Sequence, residues 1–267
     1  MIDISESLNI AITASVDAGK VIMDIYDSSD FTTNQKSDQS PLTSADLAAN
    51  QVINSFLVKT AVPIISEENK NEQFVERKLW EFCWIVDPLD GTKEFIKRNG
   101  EFTVNIALCK NGVPILGVIY VPVTRELYYA NVQERKAYKS ILDKDHNLPN
   151  KLFHSKDLIS PAGSDNGTLR IVGSRSHMNQ DTLDFIAEKE SDHSDIEIVS
   201  KGSSLKFCLV AEGKADIYPR FAPTMEWDTA AGHAICKAVG LKVVSQDTGA
   251  NLSYNKQNLL NPYFEVS

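Results

Sequence analysis

The sequence lacks the features that mark membrane, secreted and nucleic-acid-binding proteins. No apolar run approaches the roughly 18 residues needed to cross a bilayer, and the first residues lack the basic and apolar regions of a secretory signal. Basic residues are outnumbered by acidic ones, 27 to 36, which gives a net charge of −9 at pH 7. A general nucleic-acid binder needs a basic face to displace counterions from phosphates, so no nucleic-acid partner is expected.

Cysteine is scarce and unpatterned, since the four cysteines of the chain show no CxxC spacing. Two of them, Cys83 and Cys208, lie in apolar runs where a thiol behaves as a small hydrophobe. We therefore expect reduced, buried thiols in a soluble, cytoplasmic protein. There is no internal repeat and no low-complexity tract. The 267 residues, 42% of them hydrophobic, suffice for one large α/β unit or two subdomains.

Apolar periodicity predicts an α/β protein whose N-terminal half is α+β. A spacing close to 3.6 residues predicts a helix over residues 4–26, and Thr43 as N-cap with Asp46 three residues later predicts a second helix to about residue 59. The pair Asn111-Gly112 indicates a hairpin turn. Short, β-branched apolar runs predict strands at 62–65, 82–86, 103–109, 113–121 and 126–130.

A polar stretch rich in Gly, Pro, Ser, Asn and Asp, at residues 142–168, is a candidate boundary between two halves. We accordingly expect an N-terminal α+β subdomain at 1–145 and a C-terminal α/β subdomain at 146–267. In the second half, strands and helices alternate in the predicted order strand 169–173, helix 180–188, strand 196–199, helix 204–212, strand 215–218, helix 227–239 and strand 241–244.

The segment Asp87-Pro88-Leu89-Asp90-Gly91-Thr92 carries the strongest chemical signal. A predicted strand ends in Asp87, and a second carboxylate follows three residues later on a tight turn. Two carboxylates in one small volume are unfavourable unless cations occupy it, and hard oxygen ligands of this kind suit Mg²⁺. A helix that opens at Gly91-Thr92 would offer free backbone N–H groups to a phosphate.

This segment resembles the signature of the inositol monophosphatase superfamily. The upstream Ser66-Glu67-Glu68 resembles the Glu-Glu metal element of that family, and the segment that begins at Glu226-Trp227-Asp228 resembles its C-terminal Trp-Asp element. All three occur in the family's order and at its usual separations, so the resemblance spans most of the chain. It implies a layered αβαβα sandwich and a Mg²⁺-dependent phosphatase that uses two or three ions and is inhibited by Li⁺.

Carried over residue by residue, the resemblance implies a set of metal ligands and a pair that activates water. The pair is Asp46 and Thr92. Four carboxylates would balance the charge of two Mg²⁺ ions, leaving a neutral pocket that admits a dianionic phosphate. The implied metal ligands are Glu67, Asp87, the backbone carbonyl of Leu89, Asp90 and Asp228.

Structural explanations of the same residues stay open at this point. Asp-Pro turns are common, so the turn alone would account for Asp87 and Asp90. As the third helical residue of a capping box with Thr43, Asp46 also has a sufficient structural explanation. Glu68 is interpreted as a neighbour of the ligands rather than a main ligand.

Three segments resemble the bacterial 3′(2′),5′-bisphosphate nucleotidases of sulfur assimilation within this superfamily. They cover residues 36–46, 92–95 and 202–220. The resemblance implies removal of the 3′-phosphate of adenosine 3′,5′-bisphosphate, with AMP and phosphate as products. Gly202 and the two serines after it would supply donors, and Lys206 a charge suited to a second phosphate.

The implied substrate contacts extend beyond the metal ligands to Ser174 and His177, in a segment that resembles the nucleotide-contacting one of that family. An ordinary helix N-terminus is the structural alternative for residues 202–206, and a polar turn for His177. The full implied substrate-binding set is Glu67, Leu89, Asp90, Gly91, Thr92, Ser174, His177, Gly202, Lys206 and Asp228.

Two other functions remain in view. One is an inositol monophosphatase, from which the segment around Lys206 separates this chain. The other is a non-catalytic metal-binding regulatory protein, against which the intact Asp46 and Thr92 pair argues. We expect a monomer or homodimer, and membrane contact at most peripheral, on the cytoplasmic face of the inner membrane by analogy.

Overall fold

The computed structural model describes residues 2–28, 33–35, 41–163, 167–173 and 179–267, with the backbone alone at 33–35 and 41–42. Ser174 and His177 lie outside these ranges, so their contacts with a nucleotide stay predictions. Within the described ranges, no helix is both long and apolar enough to span a bilayer.

A six-stranded sheet is the centre of the fold, and its strands follow the chain order. The first two strands are parallel and the remaining neighbours are antiparallel. Asn111 and Gly112 both have positive φ, so the predicted hairpin turn is confirmed. The six strands are β3 (Ile64–Ser66), β4 (Phe82–Asp90), β5 (Thr103–Lys110), β6 (Val113–Val121), β7 (Glu126–Asn131) and β8 (Lys136–Ile141). They are preceded by a small hairpin of β1 (Thr33–Gln35) and β2 (Pro41–Thr43).

Both faces of the sheet are buried because successive side chains of a strand point to opposite sides. On β4, Trp84 and Val86 join one apolar core, whereas Cys83 and Ile85 join the other. Helices α1 (Ile4–Ser28) and α2 (Ser44–Leu57) cover the first face. A short 3₁₀ turn at Val58–Thr60 follows α2. Two further short helices, α3 (Phe74–Arg77) and α4 (Thr92–Ile96), flank β4 along the chain.

The second face of the sheet carries α7 (Glu226–Ala238), and α6 (Leu205–Ala211) packs against α7. A further β layer covers these helices. It consists of the parallel pair β9 (Thr168–Gly173) and β10 (Asp195–Ser200), and of a three-stranded antiparallel sheet in the order β11 (Tyr218–Arg220), β13 (Phe264–Val266), β12 (Val243–Ser245). Helix α5 (Gln180–Glu190) contacts β11. The layers confirm the expected αβαβα sandwich.

Helix α7 approaches the sheet closely at a glycine. A β-carbon added to Gly117 on β6 would lie 2.5 Å from the carbonyl oxygen of Ala231 and 2.7 Å from the β-carbon of Ala234. Only a residue without a side chain fits there. This contact sets the distance between α7 and the sheet. It therefore helps to position Asp228, which lies in the first turn of α7.

Several element predictions need correction. The strand predicted at 215–218 is wrong, because β11 begins at Tyr218; residues 213–216 instead form the turn after α6. The second helix ends at Leu57 rather than near residue 59. Strands β1, β2, β8 and β13 and helix α3 were not predicted. All four cysteines are buried free thiols, as expected, and the subdomain division at 145/146 stays a prediction.

Candidate active site

Three acidic side chains from two distant parts of the chain converge at one end of β4. Asp87, Asp90 and Asp228 each offer a carboxylate oxygen, and these atoms lie within 4.8 Å of one another. The first two flank an irregularity where β4 leaves its register with β5. The third lies in the first turn of α7, where its Oδ2 accepts the N–H of Met225 at 2.8 Å. A strand end and a helix start thus form one acidic cluster.

The cluster is electrostatically strained without a counterion. Burial raises the pKa of Asp87 well above its usual range, and the nearby charges of Glu67 and Asp90 raise it further. Burial and the charge of Asp90 raise the pKa of Asp228 to about 8. Glu67, just after β3, contributes to both shifts. These acids offer only oxygen atoms as ligands, and a set of oxygen ligands fits a hard divalent cation.

The turn between Asp87 and Thr92 positions the remaining atoms of the motif. The Leu89 N–H donates to Asp87 Oδ1 at 3.0 Å. Gly91 caps α4 with a φ of +94°, where a side chain would be strained and would meet the carbonyl oxygen of Glu101 at 3.1 Å. The Thr92 hydroxyl lies 3.4 Å from the carbonyl oxygen of Leu89. The structure therefore places Asp87 and Asp90 in the cluster and the Thr92 hydroxyl beside the Leu89 carbonyl, while the roles of Leu89, Gly91 and Thr92 stay predictions.

Asp46 serves two partners with one carboxylate. Its Oδ2 accepts the backbone N–H of Thr43 at 2.8 Å and the Thr43 hydroxyl at 2.6 Å, which completes the predicted capping box of α2. Its Oδ1 accepts the Thr92 hydroxyl at 3.1 Å. The capping interpretation is confirmed, and the same side chain also reaches the predicted catalytic partner.

A cavity of about 120 Å³ adjoins the acidic cluster. Lys206 is only 4% exposed there, donates to the carbonyl oxygen of Ser203 at 2.5 Å and lies over the ring of Tyr218. Burial, and then the charge of Arg220, lower the pKa of Lys206 to about 8. The residues that line the cavity are Asp90, Gly91, Glu94, Gly202, Ser203, Ser204, Lys206, Phe207, Tyr218, Arg220, Thr224, Asp228 and Thr229.

Two residues that line this cavity each have a buried polar atom without a hydrogen-bond partner in the described part of the chain, namely Ser203 Oγ and Arg220 Nε. Buried donors of this kind usually find a partner, so both indicate an anionic or polar ligand. Arg220 was not assigned a role from the sequence, although it ends the segment that resembles the nucleotidases. Gly202 lines the same cavity, but its N–H donates to Glu101 Oε2 at 2.8 Å.

Comparison with known proteins identifies the family. The model of the inositol monophosphatase family matches residues 3–263. Over 254 residues the chain is 44% identical to the 3′(2′),5′-bisphosphate nucleotidase CysQ of Salmonella typhimurium and 45% identical to that of Escherichia coli, covering 94% of this chain and 95% of each relative.

Among solved structures, the fold matches CysQ from Bacteroides thetaiotaomicron with a TM-score of 0.87 and 46% identity, over 99% of this chain and 97% of that one. The extragenic suppressor protein SuhB from Bartonella henselae, 22% identical, shares the fold with a TM-score of 0.74, over 96% of this chain and 93% of that one. The chain therefore belongs to the inositol monophosphatase family, within its group of 3′(2′),5′-bisphosphate nucleotidases.

Proposed function

We propose that this protein is a metal-dependent phosphomonoesterase that removes the 3′-phosphate of adenosine 3′,5′-bisphosphate, giving AMP and phosphate, in the recycling of this nucleotide during sulfur assimilation. The observation that carries the proposal is that the acidic cluster and the neighbouring cavity have two residues in common. Asp90 and Asp228 belong to the acidic cluster and also line the cavity that holds Lys206 and Arg220. A substrate with two phosphates can therefore reach both sites at once. Curated relatives at 44–45% identity carry the corresponding name.

The acidic cluster would hold Mg²⁺, two or three ions in all. The proposed ligands are Glu67, Asp87, the carbonyl of Leu89, Asp90 and Asp228. Bound Mg²⁺ would supply Lewis-acid polarisation of the phosphate and a water of lowered pKa. Because Asp87 is only 1% exposed, its carboxylate would attract the ions with little screening by solvent.

Asp46 and Thr92 would move the proton of the attacking water. The Thr92 hydroxyl already donates to Asp46 Oδ1, so its free lone pairs can accept a proton from water while its own proton passes to that oxygen. The bonds from Thr43 to the other oxygen keep the carboxylate from rotating. Positioned general bases of this kind contribute about 10²–10⁴-fold to the rate.

The cavity would bind the 5′-phosphate. Lys206 supplies positive charge, and the Ser203 hydroxyl and the Arg220 guanidinium hold buried donors that a phosphate can satisfy. Binding energy from this remote group can then be used at the reacting phosphate. Gly202, Ser174 and His177 stay predicted nucleotide contacts. The four buried free thiols support a reducing compartment, which we propose is the cytoplasm.

Phosphate release from a substrate panel, titrated with Mg²⁺, tests the function. The panel contains adenosine 3′,5′-bisphosphate, inositol 1-phosphate, fructose 1,6-bisphosphate and AMP. We expect Mg²⁺-dependent release from the adenosine bisphosphate in large excess over the other three, and inhibition by Li⁺. Preference for inositol 1-phosphate would indicate an inositol monophosphatase instead. Metal binding without release from any substrate would indicate a regulatory protein.

A further inference from the structure

The Asp90 carboxylate is held at one oxygen by polar groups that the proposed function does not use. Its Oδ2 accepts the backbone N–H of Ser204 at 2.6 Å and lies 3.5 Å from the side-chain amide nitrogen of Asn105. Both contacts fall on the same atom, Oδ2. The other carboxylate of this motif, that of Asp87, is held differently, by the backbone N–H of Leu89.

Behind Asp90 lies a buried triad formed by Thr103, Asn105 and Ser204, each at most 2% exposed. The hydroxyls of Thr103 and Ser204 lie 3.0 Å and 2.7 Å from Asn105 Oδ1, and 2.8 Å from each other. The two hydroxyl protons can fill only two of these three contacts, so at least one hydroxyl donates to Asn105 Oδ1, which leaves the amide nitrogen of Asn105 on the side of Asp90. The triad thereby fixes the orientation of that amide.

The Ser204 hydroxyl contacts this triad instead of capping its helix. Ser204 is the N-cap of α6, where a serine hydroxyl normally accepts a backbone N–H of the first turn, yet it makes no such bond here. The preceding Ser203 has a φ of +46°, a conformation that is unfavourable for a residue other than glycine. The turn thus combines an unfavourable φ at Ser203 with a Ser204 whose N–H donates to Asp90 and whose hydroxyl contacts the triad.

The triad also joins two layers of the fold. Thr103 and Asn105 lie two residues apart on β5 and share one face of the sheet, and Thr103 is the register partner of Asp90. Ser204 begins the helix that carries Lys206. One set of hydrogen bonds thus links the end of β4 to the turn beside the cavity that holds Lys206.

We propose that Thr103, Asn105 and Ser204 are positioning residues that fix the Asp90 carboxylate in its metal-binding orientation and tie it to the turn before Lys206. The proposal rests on the proposed role of Asp90 as a metal ligand. Hydrogen bonds to a ligating carboxylate typically change metal affinity 10–100-fold when they are removed. If the triad served packing alone, substitutions in it would change the stability of the protein without changing its metal affinity.

Titration of the substrate-free protein with Mn²⁺, with free Mn²⁺ followed by electron paramagnetic resonance, tests this proposal. We expect Asn105→Leu to raise the Kd for Mn²⁺ about 10-fold or more. Thr103→Val keeps the side-chain shape and removes one proton from the triad, so we expect the Kd to rise about 10-fold, the lower end of the usual range. Ser140→Ala is the matched control, since this hydroxyl is 4% exposed and contacts Tyr129 and Asp157 away from the cluster.

Wild-type Mn²⁺ affinity in both Asn105→Leu and Thr103→Val would overturn the proposal. If Asn105→Leu does not fold, the shape-conserving Thr103→Val decides alone. Asp90→Asn provides the reference: wild-type Mn²⁺ affinity in that variant would remove the premise and the proposal with it. A shift in Mn²⁺ affinity in a protein that hydrolyses no bisphosphate would instead refute the proposed substrate and leave the positioning role standing.

Discussion

At the scale of single residues, the two oxygens of Asp46 face partners of different origin. The bond to Thr43 is local, three residues away, and the spacing of the two residues was enough to predict it. The bond to Thr92 spans 46 residues and depends on how α2 packs against β4. Residue spacing alone left the catalytic role of Asp46 open, and only the resemblance to the family indicated it.

Replacement of the Thr92 hydroxyl tests the proton path. We expect Thr92→Val to lower kcat about 100-fold or more, because no hydroxyl then links water to Asp46 Oδ1. Thr92→Ser keeps the hydroxyl and should retain most of the activity. Steady-state phosphate release at saturating Mg²⁺ measures both variants, and comparable rates in the two would contradict the path.

Lys206 is expected to distinguish substrates by their second phosphate. Lys206→Met keeps the length of the side chain and its packing over Tyr218 but removes the charge. A lost charge-assisted hydrogen bond costs about 1.5–3 kcal/mol, so kcat/KM for adenosine 3′,5′-bisphosphate should fall about 10- to 100-fold. The monophosphate 3′-AMP serves as the control substrate; an equal loss on both would show that Lys206 does not contact the second phosphate.

At the scale of elements, the proposed site lies where strands end and helices begin. Asp87 and Asp90 end β4, Asp46 and Asp228 lie in the first turns of α2 and α7, and Thr92 opens α4. Periodicity predicts the interior of an element well but its ends poorly. Most of the longer strands were accordingly predicted, whereas β1, β2, β11 and β13, of three residues each, were missed or misplaced because so short a strand shows no clear alternation. Strand β8 was missed although it is as long as β7, because its lysine and serine residues weaken the apolar pattern.

An ion pair clamps β9 to the segment before β11. Arg170 donates to both oxygens of Asp216, at 3.0 Å from Nε and 2.7 Å from Nη2, and the two backbones exchange further bonds. Partial burial raises the pKa of Asp216, but these bonds outweigh it and the net pKa is lowered. The pair therefore stabilises the fold above the unfolded-state pKa of Asp, about 4, and this stability is lost as pH falls through the folded pKa.

Asp216→Asn should make the free energy of unfolding less dependent on pH in the acidic range. We expect its free energy of unfolding to fall below that of the wild type at pH 7, with the difference shrinking as the pH is lowered below about 4. Urea unfolding at several pH values measures this. A constant difference at every pH would show that the charge of Asp216 contributes nothing.

At the scale of the whole molecule, the C-terminal segment locks α7 in place. Glu226 is fully buried at the start of this helix, and Lys256 contacts its Oε1 at 2.6 Å. Asn255 in turn accepts a bond from the buried Arg77. The sequence offered no signal for this network, because it joins residues up to 179 positions apart. The meeting of Asp228 with the β4 motif was likewise indicated by the family resemblance and not by periodicity.

Removal of the Lys256 ammonium group from this network should lower the free energy of unfolding. Lys256→Met leaves the Glu226 carboxylate buried and without its charged partner, which typically costs about 3–5 kcal/mol. The double variant Glu226→Gln/Lys256→Met, which buries no charge, should recover part of that loss. Denaturant unfolding of both variants measures the difference, and a loss under about 1 kcal/mol in Lys256→Met would contradict the argument.

The acidic cluster has one more consequence, for the time course of refolding. Its carboxylates come from β4 and from α7, 138 residues further along the chain between Asp90 and Asp228. Such contacts between distant segments form late, because the intervening chain must first lose its freedom. After dilution from denaturant, recovery of turnover should therefore lag behind the return of helical circular dichroism, so that catalysis itself reports when the last layers of the molecule have docked.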